Sequence, residues 1–522
     1  MQPAQALTTS PVATPRSHLL MGAVAGVIAA VVALAVGELV AAIIGRAASP
    51  IVVVGGTFID ATPEWLKSFA IDTFGEHDKD ALLLGIGGTL LVAAAILGMV
   101  ATRWRVVGVV GVAVLGAVGA VAALTRPIAM PIDVLPSVLG AAAGIAALML
   151  ILPRPAATVT GVTPAGDGSA TRRRFLVTSA SFVAVAALAT GLSRVLTPAP
   201  SAGSLLAVPV PDEPAGPLPA GVDLGIPGQT PFVTPNASFY RVDTALVIPT
   251  VDVATWNLRI HGMVDQELNL TMGQLLSRPT IERVITLCCV SNPVGGKYIG
   301  NATWVGVPLR DLLEEAGVQA GADQIVSRSV DGMTIGTPTS VAMDGRDAMI
   351  AVAMNGEPLP PVHGYPARLL VPGLFGYVSA TKWLTEMELT TFDAYDAYWV
   401  QRGWVQEAPI VTMSRIDTPK PLSQVAAGRV MVAGVAWAQH RGITAVEVRA
   451  DGGAWQQAQL ASVPSEDTWR QWSLAWDATP GNHRLEVRAT DGTGAVQTEA
   501  RAEPFPSGAT GWYSTVFTVV EA

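Results

Sequence analysis

Two cysteines stand side by side in this sequence, Cys288 and Cys289, within Thr286-Leu287-Cys288-Cys289-Val290-Ser291-Asn292. They are the only two in 522 residues, which excludes a disulfide-rich scaffold. Adjacent residues are also too close for an ordinary bridge. A lone cysteine is most often a small buried apolar side chain. As a thiolate it is instead a soft ligand for a transition metal. Zinc needs three or four protein ligands at suitable spacing, and no such cluster surrounds Cys289. One cysteine suffices only where another molecule supplies the remaining ligands. A second group is His363-Gly364-Tyr365-Pro366-Ala367-Arg368, followed by Lys382-Trp383. Its cations could cradle an anion by charge-assisted hydrogen bonds. A set of surface cations accounts for the same spacing.

The elements that position these groups are legible in outline. Val284–Leu287 is a short apolar run of β-formers, which predicts a buried strand leading into the cysteines. Leu369–Val371 predicts another, and Trp256–His261 alternates as a half-buried strand does. Pro308–Ala316 has helical spacing and stops at Gly317. Asn355-Gly356 is a hairpin signal. Residues 236–400 are therefore expected to be an α+β domain. Beyond them, Val430–Ala436, Val446/Val448 and Leu485/Val487 alternate, and Asp451-Gly452 and Asp491-Gly492 punctuate the runs. That pattern predicts a β-sandwich over 401–522. Residues 198–235 are rich in proline and are expected to be an extended tether.

The first part of the chain is of another kind. Only 14% of all residues are charged and 50% are hydrophobic, against about 25% charged in a soluble domain. Disorder is excluded as a global description. A net charge of −9, from 32 basic and 41 acidic residues, argues against a nucleic-acid partner. A mean hydropathy of +0.44 points to membrane segments. Five apolar runs stand out: Leu19–Ile44, Ala81–Ala101, Val106–Leu124, Val134–Leu152 and Phe175–Leu196. Each is near the ~20 residues that cross a hydrocarbon core. Residues 1–155 thus form a four-span region, and 156–197 add a fifth span. None of the six histidines lies inside a run, so a haem held by two membrane histidines is not supported.

Arg103, Arg105, Arg154 and Arg172–Arg174 place their loops in the cytoplasm. The N-terminus is then inside, and everything after Leu196 is outside. Thr171-Arg172-Arg173-Arg174-Phe175-Leu176 reads either as a twin-arginine export signal or as a stop-transfer flank. Thr62-Pro63-Glu64-Trp65 looks like the start of an amphipathic helix. Glu38 lies inside the first run, as a functional acid or as one satisfied by a neighbouring helix.

The stretch 231–390 resembles the molybdopterin-binding domain of the sulfite oxidase family. The matching pieces are Asn236–Arg241, Thr286–Asn292, Trp304–Leu309 and Asp331-Gly332. They continue with Asn355–Pro360, His363–Arg368 and Lys382-Trp383-Leu384. Residues 405–522 resemble the immunoglobulin-like dimerisation domain of the same family, and the membrane part is similar in arrangement to membrane-anchored bacterial members. The resemblance implies Mo-molybdopterin, with Cys289 as the protein ligand to the metal and Cys288 as its non-ligating neighbour. It places Tyr240, Arg241, Asp331, His363, Arg368, Thr381 and Lys382 around the pterin and its phosphate. Trp304 falls near the substrate pocket, and with Cys289 and Arg241 it completes the expected catalytic set.

Two departures bear on the substrate. Animal members carry consecutive arginines after Cys-Xaa-Xaa-Asn, where this chain has Pro293 and Val294. Their tyrosine before a Gly-aromatic pair is also unmatched, because Gln401-Arg402 precede Gly403-Trp404 and the nearest tyrosine is Tyr398. The expected architecture is multi-domain: an α-helical transmembrane bundle, an α+β sulfite-oxidase-type domain and an Ig-like β-sandwich. The expected activity is oxygen-atom transfer on sulfite, or reduction of an S-oxide or N-oxide. An external cytochrome or quinone would exchange the electrons, and a homodimer is possible through the sandwich. A cofactor-free binding module on a membrane stalk is the reading from another class.

Overall fold

The computed structural model describes residues 15–63, 66, 69, 73, 74, 78–152, 168–196 and 206–521. The chain forms two compact units. One is Met1–Ser201 with Thr244–Val247, and the other is Ala202–Asp243 with Ile248–Ala522.

The first unit holds α1 (Pro15–Ile44), α2 (Pro50–Ala61), α3 (Asp78–Ala101), α4 (Arg105–Leu124), α5 (Leu135–Ile151) and α6 (Gly168–Leu196). Among the described residues, all of these but α2 are long and apolar enough to cross a membrane. Each of the five covers one expected run. Small residues let their backbones close up. A Cβ at Gly26 would stand 2.0 Å from the Ala94 carbonyl oxygen, and one at Gly98 2.1 Å from that of Gly22, so α1 and α3 touch at glycine. Large apolar side chains face outward instead, with Leu84, Val106 and Leu188 exposed by 78%, 73% and 74%. That exterior suits lipid rather than water.

The short helix α2 departs from the expected loop. Ser49 caps it, accepting from Val52 N, and Pro50 occupies its first turn. The Ser49 hydroxyl donates to the Glu38 carboxylate, which satisfies that acid from a neighbouring element. Thr62 closes α2 in an extended conformation, and the described residues beyond it, 66, 69, 73 and 74, are helical. Most of the amphipathic segment that should follow it, Trp65 included, lies outside the described residues, as do Arg154 and the Arg172 side chain.

In the second unit the expected tether is replaced by structure from residue 206 onward. Glu213 bridges to Ile281. Gln229 Nε2 donates to Gly434 O and Trp472 O, Leu224 N donates to Gln471 Oε1, and Thr230 N donates to Asp417 Oδ2. Phe232 is 1% exposed. Proline-rich composition predicts extended backbone correctly, but extended backbone can lie in a groove as readily as in solvent. What decides is the apolar anchor and the row of partners waiting for its amides.

The α+β part has two sheets, the first antiparallel and the second mixed. One runs β3 (Ile281–Cys288), β4 (Ile299–Pro308), β7 (Met349–Met354) and β8 (Glu357–Pro358), with β9 (Arg368–Leu370) also paired to β7. The other runs β2 (Leu268–Thr271), β1 (Asn257–Gly262), β10 (Leu384–Thr390), β5 (Gln324–Ser329) and β6 (Thr334–Pro338), with β1 and β10 parallel. After a short helix α7 (Met272–Leu276), helix α8 (Leu309–Ala316) buries its apolar face and ends at Gly317, whose φ of 68° is the left-handed cap that glycine permits. Asn355 and Gly356 turn β7 into β8 with φ of 52° and 77°, as the hairpin signal implies.

The C-terminal residues form a two-sheet sandwich. One sheet orders β11 (Met413–Thr418), β13 (Gly428–Trp437), β17 (Arg470–Ala478) and β16 (Gln459–Leu460). The other orders β12 (Gln424–Ala426), β19 (Tyr513–Val520), β18 (Gly481–Asp491), β14 (Ile443–Ala450) and β15 (Gln456–Gln457). This sandwich is not a separate body. One hydrophobic core joins Leu258, Leu309 and Ile350 of the α+β part to Val435, Trp437 and Trp469 of the sandwich.

If 206–235 is structural, Phe232→Ala should cost about 3–5 kcal/mol and lower the melting temperature of the full chain in detergent. Val210→Ala, at a side chain 90% exposed in the same stretch, should leave it unchanged. Equal melting curves for both variants and the wild type would restore the tether.

Candidate active site

Strand β3 ends at Cys288, whose side chain is 2% exposed and packs into the core with Val290 and Ile299. Cys289 is the first residue beyond the strand. Its backbone N–H donates to Tyr298 O, and the loop between them is closed by Asn292. Asn292 N donates to Cys289 O, and Asn292 Oδ1 accepts from Tyr298 N at 2.9 Å. The asparagine of the Cys-Val-Ser-Asn sequence is therefore the staple of the loop that presents the thiol.

The two cysteines differ electrostatically. Burial pushes both thiols up. At Cys289 the Ser291 backbone N–H, the Ser291 hydroxyl and the Lys382 charge oppose that push. At Cys288 the neighbouring Cys289 adds to it, and the thiol stands well above its ordinary value. Cys289 is the better prepared to be a thiolate.

The cation group comes from two segments held side by side. Leu369 N donates to Thr381 O, Leu384 N to Ala367 O and Trp383 N to Gly364 O. Gly364 is needed for that closeness, since its φ is 110° and a Cβ there would stand 3.0 Å from Lys382 Cα. Thr381 is buried, with its hydroxyl on Ser327 Oγ at 2.5 Å. His363 is 3% exposed and pairs with Asn236 O at 3.0 Å. Burial, and then the charges of Arg368, Lys382 and Arg241, pull its pKa down to about 4, so the ring is neutral at physiological pH.

Arg368 is 5% exposed, and burial draws its pKa down to about 10. Its Nη1 donates to His363 O at 3.1 Å. Among the described residues its buried Nε has no partner and no carboxylate pairs with it. Asp243 is the acid of this group. Its Oδ2 accepts from Arg241 Nε and from Lys382 Nζ, both at 2.9 Å. Three cations thus face one carboxylate, and the group carries an excess of positive charge.

An aromatic wall adjoins these cations. Phe239 stacks on Tyr240 at 5.2 Å and meets Trp304 and His363 edge-on at 5.8 and 5.5 Å. Burial and both nearby cysteines push the Tyr240 phenol well up, so it stays a hydrogen-bond donor.

Of the sequence-expected residues, Tyr240, Arg241, Cys289, His363, Arg368, Thr381 and Lys382 converge. Two are placed otherwise. Trp304 is fully buried on β4, with its indole N–H spent on Ile285 O at 3.1 Å and its ring 5.2 Å from the Arg368 guanidinium carbon. Its ring lies against Arg368 and is enclosed by protein on β4. Asp331 sits in the β5–β6 turn, where its carboxylate accepts from Met333 N at 3.2 Å. Val330 N reaches Trp383 O, so this turn borders the cation segment, while the Asp331 carboxylate serves the turn itself.

Sequence reasoning missed Asp243 and Ser291. Arg241 and Asp243 are two apart on extended chain and so share a face. That spacing was the available signal for a carboxylate set among the cations.

Residues 245–399 match the family described as oxidoreductase molybdopterin binding domain. The chain carries a molybdopterin-binding oxidoreductase domain. Similarity to known enzymes extends over about half of the chain. The mitochondrial sulfite oxidase of Rattus norvegicus is 29% identical over 322 residues, covering 52% of this chain and 58% of the relative. Nitrate reductase [NADH] 1 of Oryza sativa subsp. japonica is 26% identical over 332 residues, covering 51% of this chain and 36% of the relative. Among solved structures, the sulfane dehydrogenase SoxCD of Paracoccus pantotrophus matches at 25% identity with a TM-score of 0.49, over 56% of this chain and 85% of that one. The chain thus spans about half the length, or less, of those curated relatives. The residues of the molybdopterin-binding domain fit such a group, because a buried guanidinium with an orphaned N–H and surplus positive charge suit a phosphate.

The neutral His363 makes a pH prediction. The unfolded chain takes up this proton below about pH 6.5, while the folded state refuses it until about pH 4. Stability should therefore fall as pH drops from 6.5 toward 4, by up to about 3 kcal/mol, and be unaffected above that window. In cofactor-free protein, the melting temperature of His363→Gln should decline less steeply than that of wild type between pH 6.5 and 4. Parallel curves would show that His363 titrates normally.

Proposed function

We propose that this chain is a membrane-anchored molybdenum oxidoreductase of sulfite oxidase type, with its catalytic half on the extracytoplasmic side. It would perform oxygen-atom transfer on a small substrate and exchange electrons with an external carrier, a cytochrome or a quinone. The single observation that carries the reading is the pairing of a buried, loop-stapled Cys289 with a buried Arg368 whose Nε is orphaned. A buried unpaired cation is costly, and a cofactor phosphate is the partner that would remove the cost.

In this reading Cys289 supplies the protein thiolate, and the metal supplies the redox and oxygen-transfer chemistry. Arg241, His363, Arg368, Thr381 and Lys382 hold the pterin and its phosphate, with Tyr240 against the same wall and Asp331 at its border. Lys382 has a double part, since its charge acts on both His363 and Cys289. Asp243 orients Lys382 and Arg241 together. Asn292 closes the loop that carries the thiol, and Ser291 opposes the upward push of burial on it. Five apolar helices support the membrane anchor, and the arginines of their connecting segments support the sidedness. The two-sheet C-terminal body is read as Ig-like.

A specific observation favours a neutral substrate as the second reading. Val294 stands where animal sulfite oxidases have an arginine, and it is 9% exposed and packed in the core. No cation occupies that position to grip an anion, which favours reduction of an S-oxide or N-oxide over oxidation of sulfite.

Two measurements test the proposal. Metal and pterin analysis of protein from a cofactor-competent host should find both, and finding neither would leave the cofactor-free binding module as the reading. Turnover of sulfite with a dye acceptor, or of sulfoxides with a reduced dye, should be abolished by Cys289→Ser and largely kept in Cys288→Ser. The opposite pattern would move the ligand to Cys288. Separately, Arg368→Met should purify with much less pterin than wild type, and full pterin content would remove Arg368 from the phosphate site.

A further inference from the structure

The candidate site draws its side chains from the α+β part alone, yet the strand that presents Cys289 is gripped from the sandwich. Thr286 lies on β3 three residues before Cys289 and is fully buried. Its backbone N–H donates to Asp467 O at 3.0 Å. Its carbonyl accepts from Gln439 Nε2 at 3.0 Å. Its hydroxyl accepts from Trp469 N at 2.8 Å and donates to Asn301 Oδ1 at 2.8 Å. Only the last of these partners belongs to the α+β part.

The bonds close into a cycle. Asn301 Nδ2 and Trp469 Nε1 both donate to Phe232 O, each at 2.9 Å. The cycle therefore joins β3, β4, the 206–235 stretch and the sandwich, and Phe232, Asn301 and Trp469 are themselves fully buried. No member can shift alone without stranding a buried polar group. Strand β3 is also the edge of its sheet. An edge strand is free to fray or slip unless something covers it, and here Asp467 and Gln439 occupy the place of a further strand. The far end of the cysteine loop is held from the same side. Arg415 Nη1 donates to Gly296 O at 2.7 Å, and the Tyr513 ring lies where a Cβ on Gly295 would be, 2.0 Å away.

We propose that the sandwich is a positioning part of the metal site, with Thr286 as the joint through which it fixes the backbone that carries Cys289. This rests on Cys289 being the metal ligand. Thr286, Gln439 and Trp469 act through that backbone and touch no reacting atom.

The test uses the full chain in detergent. Thr286→Val keeps the shape and strands Trp469 N and Asn301 Oδ1. Thr286→Ser keeps the hydroxyl, and Gln439→Leu releases the carbonyl alone, as a milder variant should Thr286→Val not fold. With metal content equal to wild type, Thr286→Val and Gln439→Leu should shift the thiolate-to-molybdenum absorption band. They should lower kcat about 10- to 100-fold with little change in KM, assayed with sulfite or dimethyl sulfoxide, whichever the wild type turns over. Thr286→Ser should restore both. Folded, metal-loaded variants with the wild-type band and kcat would overturn the proposal. A wild type without metal would instead sink the ligand reading, and the joint is then tested by itself. In a Cys288→Ser background, iodoacetamide should alkylate Cys289 faster in Thr286→Val than in Thr286→Ser, and equal rates would overturn it.

Discussion

The second unit is organised around a guanidinium buried without a counter-ion among the described residues. Arg368 cannot hold its charge in that position unless the surroundings are built to tolerate it, because desolvation disfavours the charged form. The fold meets this need with backbone carbonyls and ring faces rather than acids. His363 O accepts one N–H, and the Trp304 ring lies against the guanidinium. His363 is kept neutral so that it adds no further charge. The one carboxylate in the group, Asp243, is turned to Arg241 and Lys382. Among the described residues the group is left with more positive than negative charge.

The Cys289 thiol and the Arg368 guanidinium come from opposite margins of the same sheet. Cys289 follows β3, while Arg368 opens β9, and β4 and β7 lie between them. Their relation is therefore fixed by strand register, and register is held where buried side chains alternate across the pleat. The core of this sheet is shared with the sandwich, so the C-terminal body is a structural condition of the site as well as an appendage. The same holds for the proline-rich stretch, whose Phe232 carbonyl is a corner of the hydrogen-bonded cycle around Thr286.

Much of this was legible in the residues. Apolar runs of span length located the five long helices among the described residues, because an apolar run of that length is a property of composition alone. Gly317 after an amphipathic run, Asn355-Gly356 between strands, and alternation after residue 430 each marked a local backbone preference that the fold kept. The cation group could be listed but not distinguished from a scatter of surface charge. Burial makes that distinction, and Arg368 and His363 are buried through contacts with segments distant in the chain. Trp304 likewise shows what a motif position leaves open, since only packing sets its ring against Arg368 and its N–H on a backbone carbonyl.

The sequence by itself determined the apolar helices, the strand and turn boundaries, and the identity of the groups available for chemistry. These depend on periodicity and on the φ, ψ preferences of neighbouring residues, which are local properties. Only the tertiary structure decided that burial raises both adjacent thiols, and Cys288 the more. It also decided that no carboxylate among the described residues pairs with Arg368, that Asp243 belongs to the cation group, and that the stretch after 205 is part of the core. Those outcomes depend on desolvation and on hydrogen bonds between residues tens to hundreds of positions apart, such as Trp469 and Phe232. No local pattern encodes them.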